Sequence, residues 1–125
     1  MTDRKKKILL VEDDWFTRFM MQEIRDTLGV EIDITASIHD GLTRFRSNPQ
    51  AYGVVLMDVD LPEQQDAGQP FHDIQDMGQG PVPIIAVCAD GQDPDHGLLS
   101  SRGMSGHLRK PLTPGELMAL IDRYC

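Results

Sequence analysis

The chain has 125 residues, of which 40% are hydrophobic and 26% charged, and its formal net charge is −8. These values fit one soluble globular domain and exclude a disordered chain or two domains of ordinary size. No apolar run approaches the ~20 residues that span a bilayer, the N-terminus lacks an export signal, and the acidic balance disfavours non-specific nucleic-acid binding. We therefore expect a single cytoplasmic domain over 1–125, with a basic tail at 1–6.

Apolar periodicity predicts alternating strands and helices in the first half of the chain. The continuous apolar run over 8–11 is typical of a strand covered on both faces, and apolar residues at three- and four-residue steps over 15–28 are typical of an amphipathic helix. Asp14 can cap this helix and Gly29 can end it. The elements predicted next are a half-buried strand over 30–34, a helix capped by Ser37 and ended by Asn48-Pro49, and a strand over 52–57.

The second half of the chain continues the alternation. The predicted elements are a short helix within 66–77, a strand over 82–87, a brief helix within 91–102 and a strand over 106–109. Thr113-Pro114-Gly115-Glu116 has the spacing of a capping box, which predicts a final helix. Strands that alternate with helices predict a mainly parallel sheet with helices on both faces, in which ligands bind beyond the carboxyl ends of the strands.

Acidic residues follow two of these strands, at or just past their carboxyl ends. Glu12 and Asp13 follow the first strand, and Asp58 and Asp60 follow the third. An acid after a strand is most often a helix N-cap, and a lysine before a proline is most often a solvated loop residue, but together these residues would surround one point. Converging carboxylates repel one another, and oxygen ligands without supporting histidine or cysteine favour Mg²⁺ as the compensating cation. Lys110, after the fifth strand, can neutralise a carboxylate or a phosphoryl oxygen.

Four segments occur in order over essentially the whole chain: ILLVEDD, VVLMDVDLP, PIIAVCAD and HLRKPL. Together they resemble the receiver domains of two-component response regulators. The resemblance implies a doubly wound α/β fold with a five-stranded parallel sheet in the flavodoxin-like order 2-1-3-4-5. It also implies a bacterial phosphoprotein that is phosphorylated by a histidine kinase or a histidine phosphotransfer protein and signals to a downstream protein partner. We expect no direct binding to nucleic acid or membrane.

The resemblance assigns roles to individual residues of this sequence. Asp58 matches the aspartate that accepts the phosphoryl group. Lys110 matches the lysine that binds this group, and its peptide bond to Pro111 is often cis in the family. The Mg²⁺ ligands that the resemblance implies are Glu12, Asp13, Asp58 and the backbone carbonyl of Asp60. Catalysis is then limited to the domain's own phosphorylation and dephosphorylation, so the chain is not expected to be an enzyme in the usual sense.

Two positions depart from the family pattern. Cys88 stands where a threonine or serine usually hydrogen-bonds the phosphoryl group, and a thiol is only a weak donor. His107 stands where a tyrosine or phenylalanine usually moves inward on activation, and a histidine is smaller and can titrate near neutral pH. Three interpretations stay open: a receiver with a retuned switch, a receiver that signals weakly or by binding alone, and Cys88 as a redox sensor.

Other functions remain as alternatives. Asp58-x-Asp60 also resembles the nucleophile and acid pair of haloacid-dehalogenase-type phosphatases, but that motif normally follows the first strand, and Glu12 and Asp13 would have no role there. A degenerate receiver could act as a phosphorylation-independent binding module. Trp15, beside the acids, is expected to pack at the edge of the site. Because the chain ends after its last predicted helix, we expect output through a partner or through domains outside this chain.

Overall fold

The computed structural model describes residues 6–58, 82–88 and 105–125. The elements in chain order are strand β1 (Lys7–Val11), helix α1 (Trp15–Leu28), β2 (Ile32–Thr35), α2 (Ile38–Ser47), a 3-10 turn (Pro49–Ala51), β3 (Tyr52–Asp58), β4 (Ile84–Cys88), β5 (Gly106–Arg109) and α3 (Pro114–Tyr124). The helices predicted within 66–77 and 91–102 lie outside the described residues, as do Asp60 and positions 1–5 of the basic tail. Within the described ranges, no helix is long and apolar enough to cross a bilayer.

The five strands form one parallel sheet in the order β2-β1-β3-β4-β5. This order confirms the predicted doubly wound fold. β1 and β3 are neighbours, with Val11 opposite Met57. The residues that follow this pair, Glu12 and Asp58, therefore lie side by side at the carboxyl edge of the sheet.

Helices cover both faces of the sheet, as the apolar strands require. Successive residues of β1 point to opposite faces, so Leu9 belongs to one buried cluster with Phe45 of α2, and Leu10 to another with Met21 of α1 and Leu117 of α3. The α2 helix approaches the sheet closely at one glycine. A Cβ atom at Gly41 would lie 2.6 Å from Cγ2 of the buried Val11.

The helix ends confirm the predicted capping residues. Asp14 accepts hydrogen bonds from the backbone N–H and the hydroxyl of Thr17, at 2.9 and 2.7 Å. Gly29 ends α1 in the left-handed conformation, with φ of 68°. Thr113 and Glu116 form the predicted reciprocal capping box, and Ser37 caps α2. Local sequence chemistry thus sets where these helices begin and end.

Several strand boundaries differ from the prediction by one or two residues, and two of these differences have a clear cause. Val30 does not enter β2 because its N–H donates to the carbonyl of Arg25 at the end of α1. β4 begins at Ile84 rather than 82, because Pro83 has no N–H to contribute to the strand ladder, although its carbonyl accepts from Val55 N–H at 2.9 Å. Asp58 is itself the last residue of β3.

A polar cluster connects β1, β2, β3 and α2 on the α2 face. The hydroxyl of Tyr52 donates to Oδ2 of Asp33 at 2.6 Å. Nζ of Lys7 and Nη1 of Arg44 lie 3.6 and 4.0 Å from the same oxygen. Burial and the Asp33 carboxylate raise the pKa of Tyr52, so this hydroxyl remains a hydrogen-bond donor at neutral pH.

Candidate functional site

Three of the predicted acids converge at the carboxyl edge of the sheet. Glu12 and Asp13 directly follow β1, Asp58 ends β3, and one carboxylate oxygen from each residue lies within 4.8 Å of the others. Glu12 and Asp58 are 0% and 1% exposed, whereas Asp13 is exposed. The convergence predicted from the strand pattern is therefore confirmed, and the cluster opens to solvent on the Asp13 side.

Lys110 brings a cation to this cluster. β5 pairs with β4, and the N–H of Lys110 donates to the carbonyl of Cys88 at 2.9 Å. The peptide bond between Lys110 and Pro111 is cis. The ammonium donates to Oε2 of Glu12 at 3.0 Å and to Oδ2 of Asp58 at 3.4 Å. The lysine predicted to bind a phosphoryl group is thus held by both buried acids, and more closely by Glu12.

The charges of the cluster are not balanced. Burial, together with contact to Asp58, raises the pKa of Glu12 to about 7. Partial desolvation and the charge of Asp58 raise the pKa of Asp13. Burial by itself would lower the pKa of Lys110, but the hydrogen bond to Glu12 and the charge of Asp58 outweigh it and hold this pKa above its ordinary value. Among the described residues, one ammonium therefore faces three acids, and ionising all of them is costly without a further cation.

The residues present fit Mg²⁺. Oε2 of Glu12 accepts hydrogen bonds from Lys110 and from the backbone N–H of Asp14, the latter at 3.1 Å. Oε1 of Glu12 is buried and has no hydrogen-bond partner in the described part of the chain. A buried oxygen without a donor is costly, and a hard cation would satisfy it. A donor set made only of oxygens suits Mg²⁺; the predicted carbonyl ligand of Asp60 lies outside the described residues.

The backbone around Glu12 is held by contacts that the sequence did not indicate. The N–H of Glu12 donates to the carbonyl of Thr35 at 3.0 Å, which extends the pairing of β1 with β2. Nη1 of Arg18 donates to the carbonyl of Glu12 at 3.0 Å. In the sequence, the only signal for Arg18 was its position one helical turn after Asp14, and many surface arginines share such a position.

The two residues that depart from the family pattern lie at different depths. Cys88 ends β4, is 2% exposed, and lies next to Lys110 at the carboxyl edge. His107 lies lower in β5, opposite Ala86, and is half-buried. The structure therefore brings Cys88 to the edge where the acids meet, whereas His107 lies farther from that edge.

The first turns of α1 carry an exposed apolar surface, which we call the α1 aromatic face. It consists of Trp15, Phe16, Phe19 and Met20, which are 67, 60, 43 and 42% exposed. The rings of Trp15 and Phe19 stack with centroids 5.7 Å apart. Trp15, expected to pack at the edge of the site, thus packs on Phe19 while most of its surface stays exposed, and the buried residue of α1 is Met21.

Comparison with known proteins gives consistent matches over nearly the whole chain. A family model described as the response regulator receiver domain matches residues 8–122. Two-component system protein A of Emericella nidulans is 29% identical over 121 residues, covering 96% of this chain and 17% of that protein. An uncharacterized 14.6 kDa protein of Leptolyngbya boryana is 27% identical, covering 94% of this chain and 88% of that protein. The chain thus spans a small part of the first relative and most of the second.

Solved structures show the same fold. The receiver domain of sensor histidine kinase PA1611 from Pseudomonas aeruginosa PAO1, with a magnesium ion coordinated in its active-site cleft, is 27% identical with a TM-score of 0.76, covering 96% of this chain and 97% of that one. The receiver domain of Ssk1 from Saccharomyces cerevisiae, solved with the histidine phosphotransfer protein Ypd1, has a TM-score of 0.76 at 18% identity, covering 99% and 91%. The related proteins come from fungi as well as bacteria, so a bacterial source remains a prediction.

Proposed function

The chain belongs to the response regulator receiver domain family, and from this premise we propose that it accepts a phosphoryl group on Asp58 in a Mg²⁺-dependent reaction. The donor is a histidine kinase or a histidine phosphotransfer protein. The observation that carries the proposal is the convergence of Glu12, Asp13 and Asp58, with the Lys110 ammonium 3.4 Å from Oδ2 of Asp58. Nucleophile, metal ligands and charge-offsetting cation are then all present at one edge of the sheet.

In the proposed reaction, a carboxylate oxygen of Asp58 attacks the phosphorus of a phosphohistidine. A P–O bond forms as the P–N bond breaks, and the departing imidazole nitrogen takes up a proton from solvent. Lys110 offsets negative charge on the transferring oxygens, so positioning and electrostatics carry most of the catalysis. Glu12, Asp13, Asp58 and the carbonyl of Asp60 would hold Mg²⁺, which when bound supplies additional positive charge to those oxygens.

The proposed donor docks over the α1 aromatic face. Asp58 is 1% exposed and ends β3 at the carboxyl edge of the sheet, where α1 begins at Trp15, two residues after Asp13. A folded donor that brings its phosphohistidine to Asp58 from this edge would therefore cover the first turns of α1. Contiguous exposed aromatic residues are typical of protein interfaces. The net charge of −8 favours a downstream protein partner rather than nucleic acid as the output, and we place the reaction in the cytoplasm.

We expect the conformational response to phosphorylation to differ from that of a usual receiver at two positions. The acyl phosphate adds roughly −1.5 to −2 of charge if it behaves as a phosphomonoester. Cys88, at the same edge, offers a thiol where a hydroxyl would form a stronger hydrogen bond, and His107 replaces a larger aromatic ring in β5. In Cys88→Thr, beryllofluoride should cause larger amide shift changes at His107 than in the wild type. Equal changes in both proteins would show that the thiol does not limit the response.

The phosphoacceptor role is tested with acetyl phosphate and Mg²⁺, followed by intact-protein mass spectrometry. The wild type should gain one phosphoryl group, Asp58→Asn should gain none, and Asp122→Asn should behave as the wild type because Asp122 is an exposed acid on α3. Labelling that survives Asp58→Asn would contradict the proposal. Turnover of a phosphomonoester would instead indicate a haloacid-dehalogenase-type phosphatase, and an unlabelled protein that still binds partners would indicate a binding module.

A further inference from the structure

Arg18 returns from α1 to the connection that carries two of the acids. It lies in the first turns of α1, and its N–H donates to the carbonyl of the capping residue Asp14 at 3.0 Å. Its part-buried guanidinium then reaches back to the carbonyl oxygen of Glu12, with Nη1 at 3.0 Å. A side chain of the helix therefore contacts the peptide group between Glu12 and Asp13.

This contact constrains the backbone at Asp13. A peptide group is planar, so the orientation of the Glu12 carbonyl also sets that of the Asp13 N–H. On the other side, the N–H of Glu12 is held by Thr35. Glu12 itself is further fixed through its carboxylate by Lys110. The Asp13 side chain is exposed, so its direction depends on the backbone that Arg18 holds.

The charge of Arg18 and its hydrogen bond would have opposite effects on the affinity of the site for a cation. A guanidinium beside the acid cluster repels a divalent cation, so an arginine that contributed only its charge would weaken Mg²⁺ binding. An arginine that orients a metal-binding carboxylate strengthens it. When Arg18 is replaced by a neutral residue, the first role predicts a higher Mg²⁺ affinity and the second predicts a lower one.

We propose that Arg18 is a positioning residue for the metal-binding end of the site: by holding the Glu12 carbonyl, it directs the Asp13 carboxylate toward the position of the cation. This inference rests on the proposed Mg²⁺-dependent function. It predicts that Arg18→Met weakens Mg²⁺ binding by about tenfold, the lower end of what loss of a partner orienting a metal ligand costs. Arg18→Lys, which keeps the charge and a hydrogen-bond donor, should recover most of the affinity.

The matched control is Arg25→Met. Arg25 lies on the same helix, and its Nη1 also donates to a backbone carbonyl, that of Ile32, at 3.5 Å. Arg25 lies about two helical turns beyond Arg18, away from the cluster of Glu12, Asp13 and Asp58. Its replacement should therefore leave the Mg²⁺ affinity within about twofold of the wild type, because distant sites affect each other little. Affinity is measured by Mg²⁺ titration of the fluorescence of Trp15, the single tryptophan of the chain, and folding by circular dichroism.

A second measurement does not need the metal. In metal-free protein labelled with ¹⁵N, the amide resonance of Asp13 should shift in both Arg18 variants and stay in place in Arg25→Met, which keeps the inference testable if one variant folds poorly. Unchanged or tighter Mg²⁺ binding in a folded Arg18→Met, or an unmoved Asp13 resonance, would overturn it. A wild type that binds no Mg²⁺ would instead refute the proposed function, and the Asp13 resonance would then decide the role of Arg18 alone.

Discussion

Replacing Glu12 by glutamine should make the metal-free protein more stable at pH 8, although it removes a residue of the proposed site. The pKa of Glu12 is about 7 in the folded protein, against an ordinary value of 4.5, because the carboxyl is buried beside Asp58. Each pKa unit corresponds to about 1.4 kcal/mol, so ionising Glu12 in the folded state costs about 3 kcal/mol more than in the unfolded chain.

The direction of the pH dependence follows from proton binding. Between pH 4.5 and about 7 the folded protein keeps the proton of Glu12, whereas the unfolded chain has released it, so the free energy of unfolding falls as pH rises. This contribution is complete below pH 4.5 and lost above about 7. Glutamine stays neutral throughout, so Glu12→Gln should lack this loss and exceed the wild type in stability by up to about 3 kcal/mol at pH 8.

The assay is urea unfolding followed by circular dichroism at pH 5 and pH 8, with a chelator present. A matched control is Glu23→Gln, which neutralises an exposed carboxylate on α1 and should follow the wild-type pH profile. Adding Mg²⁺ at pH 8 should stabilise the wild type and have a smaller effect on Glu12→Gln. If the wild type and Glu12→Gln lose the same free energy between pH 5 and pH 8, the assignment of this cost to buried Glu12 is refuted.

Three further substitutions test the fold and the proposed docking surface. Tyr52→Phe removes a 2.6 Å hydrogen bond and should lower the free energy of unfolding by about 1–2 kcal/mol in urea titrations. Gly41→Ala places a Cβ 2.6 Å from Cγ2 of buried Val11 and should lose about 1–3 kcal/mol by overpacking. Gly115→Ala, whose Cβ would make only an ordinary contact with Oγ1 of Thr113 at 4.0 Å, should be nearly neutral. Phe16→Ala should slow phosphotransfer from a protein donor about tenfold, the effect of losing an interface aromatic, while labelling by acetyl phosphate is unchanged.

Each of these has a clear contrary result. If Tyr52→Phe were as stable as the wild type, the hydrogen bond of the Tyr52 hydroxyl to Asp33 would be no stronger than one to water. A stable Gly41→Ala protein would show that α2 can move away from the sheet at little cost. If Phe16→Ala slowed labelling by both donors equally, the residue would support the site itself rather than a docking surface.

Much of the fold could be predicted because local chemistry and global topology agree in this sequence. The apolar runs ending at Val11 and Met57 are too continuous for a half-exposed sheet, so they indicated strands covered by helices. Parallel strands place their carboxyl ends at one edge of the sheet, which is why the sequence alone predicts that Glu12 lies close to Asp58. The helix caps could be predicted because each depends on one side chain and on the backbone within three residues of it.

What could not be predicted depends on contacts between distant or competing groups. Periodicity grouped the apolar residues of α1 but did not show that Trp15 faces solvent, since that depends on how much of the helix the sheet covers. Val30 could pair with β1 or close the end of α1, and the second choice prevailed. The contact of Arg18 with Glu12 depends on the conformation of a long side chain, which the sequence does not specify.

The position of Lys110 has a consequence for the order of events. Its ammonium lies 3.0 Å from Glu12 and 3.4 Å from Asp58, so in the metal-free protein the lysine serves as the counterion that the acids would otherwise lack. With a divalent cation satisfying Oε1 of Glu12, this carboxylate would depend less on Lys110, whose ammonium already reaches the acceptor Asp58. Lys110 would then serve first as the counterion of the acids and afterwards, once a metal is held, as the partner of an incoming phosphoryl group.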